Sequence, residues 1–84
     1  MADWQVALVN EQGVEFAVVA VKDSVINNHS ERDRVIGWWQ VELGRPVVLL
    51  GAQRHKAVGR RDLAQFVANV GASRLPWQRM RVAA

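Results

Sequence analysis

The stretch GAQRHKAVGRRD, residues 51–62, concentrates five basic or potentially basic side chains, Arg54, His55, Lys56, Arg60 and Arg61, ahead of and into a helical pattern, with Asp62 as its one acid. The free amides of a helix's first turn carry about half a positive charge, so arginines placed there meet a like charge at a cost of roughly 0.3–1 kcal/mol each. A bound phosphate or carboxylate would remove that conflict, held by the amides and the guanidinium groups together. Asp62, at the third helical position, would remove it too and leave both arginines in water. The solvated reading is preferred, because exposed charge near a helix start is cheap to hydrate.

A second basic cluster, RLPWQRMR, spans Arg74 to Arg81. If it is extended, the period of two puts Trp77, Arg79 and Arg81 on one face, a stacking and phosphate-contacting stripe suited to single-stranded nucleic acid. The competing reading makes Trp77 a core plug flanked by solvated arginines, and it is preferred because tryptophan is usually largely buried. Trp38 and Trp39 pose a similar choice. On a helix they lie about 100° apart and can share one broad apolar face, and whichever is left outside becomes an interface anchor.

Other chemistry has little to stand on. His29 and His55 are the only histidines, with no second histidine or carboxylate at ligand spacing, so neither a metal site nor a cofactor is expected. There is no nucleophile elbow, phosphate-binding loop or dinucleotide fingerprint. His29, Asp23 and Ser24 can be combined into a triad only on paper, and no catalytic role is expected. Asn28-His29-Ser30 matches a glycosylation sequon, but capping of a helix explains Ser30 without it.

Eighty-four residues suffice for one core and not for two, so residues 1–84 are expected to form a single domain. Half the residues are apolar and 23% are charged, which places the chain with globular rather than disordered proteins. Without cysteine, the core must hold the fold unaided, as suits a reducing cytoplasm. The start MADWQVALVNEQG lacks the pattern of a signal peptide, and the apolar run FAVVAV falls far short of the ~20 residues of a membrane span. A soluble cytoplasmic protein without a membrane partner is therefore expected.

The net charge of +3 hides a strong asymmetry. Met1 to Gly44 holds three basic residues against seven acids, net −4, whereas Arg45 to Ala84 holds eight against Asp62 alone, net +7. Whether this polarity survives in space depends on how the two halves interleave.

The elements that must carry these residues follow from periodicity. Trp4 to Val9 alternates Trp4, Val6 and Leu8 with Gln5, Ala7 and Val9, and Asn10 to Gly13 supplies a turn before Val14 to Val21, which predicts a hairpin. The second strand is apolar on both faces and belongs inside the sheet. Lys22-Asp23-Ser24 breaks the run, with Val25 and Ile26 able to extend it. Ser30 reads as the cap of a helix carrying Val35, Trp38, Trp39 and Leu43 and stopped at Gly44-Arg45-Pro46, although residues 31–43 also fit a strand. Pro46 to Leu50 reads as a buried strand and Lys56 to Val58 as a short return. The clearest helix runs from Arg60 to Val70 on Leu63, Phe66, Val67 and Val70, closed by Gly71. Gln78 to Ala84 forms an edge strand or a frayed tail.

The order β-β-α-β-β-α, with that C-terminal strand, predicts an α+β two-layer sandwich whose helices cover one face of an antiparallel or mixed sheet. The composition points to a small interaction protein that self-associates or docks on a protein partner. The alternative is a nucleic-acid or phosphate-binding module using the basic second half, whose pI near 10.6 meets the first electrostatic expectation for one.

Overall fold

A computed structural model describes residues 2–11, 13–53 and 56–82. The first two strands, β1 (Ala2–Glu11) and β2 (Val14–Val21), form the expected hairpin, in register from Val6↔Val19 to Glu11↔Val14. After β2 the chain does not extend the strand through Val25 and Ile26, as the sequence allowed. It turns instead into a single helical turn, α1 (Asp23–Ile26), which buries Ile26.

The next helix, α2 (His29–Leu43), resolves the ambiguity of residues 31–43. Local propensity left helix and strand both open, and topology decides between them. The following strand, β3 (Val47–Gly51), pairs parallel with β2, and parallel neighbours need a crossover long enough to carry the chain back along the sheet. The cap of α2 is Asn28 rather than Ser30: the Asn28 side chain accepts a hydrogen bond from the Glu31 amide at 3.1 Å, and its backbone is extended as a cap requires. At the other end Gly44 takes the left-handed conformation, with φ of 65°, and its amide donates to Gln40 O.

A two-residue strand, β4 (Ala57–Val58), returns antiparallel to β3. Gly59 follows, and a Cβ there would lie 2.9 Å from Val47 O and 3.2 Å from Val48 Cα, so only glycine lets the chain pass this close to β3. Then come α3 (Arg61–Val70), a 3₁₀ turn at Ala72–Arg74, and β5 (Trp77–Val82). β5 is an edge strand antiparallel to β1, in register from Ala2↔Val82 to Ala7↔Trp77. The mixed five-stranded sheet runs β4-β3-β2-β1-β5.

The two-layer arrangement with helices on one face does not hold. Along β2 the side chains alternate between two separate cores: Ala17, Val19 and Val21 join Ile26 and Trp39 under α1 and α2, while Phe16 and Val18 join Leu63 and Val67 under α3. β3 divides in the same way, with Val47 and Leu49 on the α2 side and Val48 and Leu50 on the α3 side. A strand apolar on both faces loses free energy unless both are covered, so the helices lie on opposite sides of the sheet and the fold has three layers.

Trp39 is the largest fully buried side chain and lies 1% exposed over β1 to β3. Its ring meets Trp4 edge to face, with centroids 5.4 Å apart and an interplanar angle of 76°. Trp39→Ala is expected to cost about 3–5 kcal/mol in chemical denaturation, the range for removing a large buried side chain. Gly59→Ala should cost about 1–3 kcal/mol, since the added methyl meets backbone rather than a movable side chain. A loss below 1 kcal/mol for Trp39→Ala would contradict its place in the core.

Candidate functional site

The basic stretch before α3 is less convergent than its sequence suggests. Arg54 and His55 lie outside the described residues, and Lys56 is exposed just before β4. Arg60 caps α3 through its backbone alone, and its Nε stands 2.9 Å from Asp62 Oδ1 with both side chains more than half exposed. Asp62, in the first turn of α3, thus offsets part of the charge conflict from within the chain. Arg61 is exposed and lines an open groove of about 400 Å³ between β4 and α3, whose other walls are mostly Ala57, Val58, Gly59, Ala64 and Ala68. Among the described residues, Gln65 is the other polar side chain there.

The β5 stripe does form one face. Trp77, Arg79 and Arg81 pair with Ala7, Gln5 and Asp3, which puts all three on the α3 side of the sheet. Their surroundings differ. Trp77 is half-buried against the α3 core, and its indole Nε1 donates to Ala72 O at 2.7 Å, fastening the 3₁₀ turn to the edge strand. Arg81 Nε donates to Asp3 Oδ1 at 3.0 Å across the strands. Arg79 has no partner among the described residues. The stripe therefore contains one structural plug, one paired cation and one free cation.

His29 Nδ1 contacts the Arg32 guanidinium one turn along α2, and Asp23 Oδ1 accepts from the Gln53 amide at 3.3 Å. Among the described residues, no cluster of histidine and carboxylate side chains could hold a metal. No helix is long and apolar enough to cross a membrane.

The two adjacent tryptophans separate in their roles. Trp39 is buried, while Trp38 stands edge to face against it, with centroids 5.0 Å apart, and remains 37% exposed. One turn further along, Val41 is 86% exposed. The helical spacing of Val35, Trp38, Trp39 and Leu43 does not include Val41. The signal was present: Val35, Ile36, Trp38, Trp39, Val41 and Leu43 surround the helix rather than mark one side of it. α2 turns Val35, Ile36, Trp39 and Leu43 to the sheet and leaves Trp38 and Val41 outside. Beside Trp38 lies an open concavity of about 390 Å³, walled by Trp4, Val35 and Trp39 and rimmed by Glu31 and Arg34.

Asp62→Asn should lower stability by about 0.3–1 kcal/mol at low ionic strength, because it removes the only acid in the first turn of α3 and leaves Arg60 against the dipole. Thermal melts at low and high salt test this. The loss should shrink as salt rises, and equal losses at both would rule out an electrostatic origin.

Comparison with protein-family models, with curated proteins and with solved structures gives no match for this chain, so its function has to be read from the chain's own surface.

Proposed function

We propose that this chain is a protein-interaction module without a catalytic role, and that it docks through the outer face of α2. The observation that carries this reading is the second apolar side of that helix. An exposed helix flank is normally polar, since a helix in a small domain has one side to bury. Here the flank carries a tryptophan and a valine beside an apolar concavity. Tryptophan is enriched among the residues that dominate interface energetics, and a partly exposed indole next to a cavity has the form of such an anchor. The polar rim of Glu31 and Arg34 matches the usual anatomy of a docking patch, apolar at the centre and charged at its border.

A phosphate or nucleic-acid site on the basic second half has less support. Of its described cations, Arg60 and Arg81 already have carboxylate partners. Arg45 follows α2, Lys56 precedes β4, Arg61 opens α3, Arg74 ends the 3₁₀ turn and Arg79 lies on β5, so the remaining described cations come from five separate places along the chain.

A photo-crosslinking residue placed at Val41 in the producing cell is expected to give protein adducts that are absent when the same residue is placed at Gln65, an exposed position on α3. If position 41 yields no more adduct than position 65, the outer face of α2 is not a docking surface.

A further inference from the structure

We infer that the occupant of this face is a second copy of the same chain, with the two α2 helices packed antiparallel about a two-fold axis at Trp38. The inference rests on the reading of that face as a docking surface and names its partner.

The first observation is the shape of the helix surface. Arg34, Gly37, Trp38 and Val41 stand at i, i+3, i+4 and i+7, the four positions that frame a hole for one side chain of a facing helix. Gly37 deepens that hole. It lies in mid-helix, where alanine would favour the helix more, and a Cβ built there meets nothing within 4 Å. Packing inside the chain therefore gives no reason for glycine at this position. Close approach of an indole from a second helix does.

The second observation is charge. In an antiparallel pair centred on Trp38, residues equally far before and after it face each other. Arg34, four before, meets Glu42 of the second copy, four after, and both lie within α2. Val35 meets Val41 of the second copy at the same spacing of three, which carries an exposed valine to the mouth of the concavity beside Trp4. Two-fold symmetry makes each of these contacts twice. A parallel alignment would set Arg34 against Arg34 and Glu42 against Glu42, so charge selects the antiparallel one. Among the described residues, Arg34 has one ion pair within the chain, a long, exposed contact with Glu31 at 3.8 Å.

The sheet edges offer no competing route. β4 has two residues, and in its two fullest antiparallel overlaps with a copy of itself β5 sets Arg79 against Arg79 or Arg81. The helical interface is modest, because fifteen residues span about 22 Å. It falls in the small, weak class, so association is expected from micromolar concentrations upward.

Equilibrium sedimentation of the full chain from micromolar to millimolar concentration should show a monomer–dimer equilibrium. Arg34→Glu and Glu42→Arg, each alone, should weaken the dimer about tenfold, since each turns two attractive exposed pairs into repulsive ones. The double variant exchanges the charges and should recover to within about threefold of the original affinity. Gly37→Ala should raise the melting temperature of the dilute monomer while weakening the dimer about tenfold, opposite signs that a merely tolerated glycine would not give. All three positions are exposed, so the variants keep the core. A chain that stays monomeric at millimolar concentration, or a dimer that the charge exchange does not restore, overturns the inference. If position-41 adducts to another protein persist in that case, the docking surface stands and only its partner is wrong; if they too are absent, both readings fall.

Discussion

The centre of the sheet has no polar side. Phe16 to Val19 on β2 and Val47 to Gly51 on β3 are buried without a break, so each residue in turn must find a cover on one face or the other. Eighty-four residues supply two helices long enough for this, and one has to go to each side. α3 meets the demand with a sharply sided helix that buries Leu63 and Val67 and half-buries Phe66, whose ring meets Phe16 edge to face at 6.0 Å. α2 meets it through Trp39, fully buried among residues of three strands, with Val35, Ile36 and Leu43 packed beside it. The outer apolar side of α2 is not required by this task, and that is why it stands out as a feature with another purpose.

Charge follows the same logic of interleaving. Read along the chain, an acidic half precedes a basic one. In the fold, β5 from the basic half pairs with β1 from the acidic half, and Arg81 meets Asp3 across them. β3 lies beside β2 in the same manner. Strand pairing thus brings the two halves together at the β1–β5 edge.

Much of the architecture was legible because strong periodicity is a local signal. The hairpin of β1 and β2, the apolar run of β3 and the face of α3 all follow from spacing within ten or so residues. The number of layers is not local, yet it was implied: a strand apolar on alternate residues in both directions needs two covers, and Ala17 with Phe16 already said so. The helix of residues 31–43 could not be separated from a strand by its own residues, because Val35, Ile36, Val41 and two tryptophans favour either. The parallel placement of β3 decided it. Asn28 and Ser30 are both good caps, and only the extended backbone at Asn28 chose between them. Of the candidate site residues, Trp77 and Trp39 went to the core, as bulk and burial favour, while the exposure of Val41 depended on which stripe of α2 faced the sheet.

The pairing of β5 with β1 fixes when the molecule can be finished. Ala2 aligns with Val82, so the outer edge of the first strand made waits for the last. During synthesis the hairpin, α2 and β3 can come together while β1 still has one open side, and only the arrival of β5 closes it. Contacts this distant in sequence slow folding, and in that interval a nascent chain exposes the longest strand of its sheet to its neighbours.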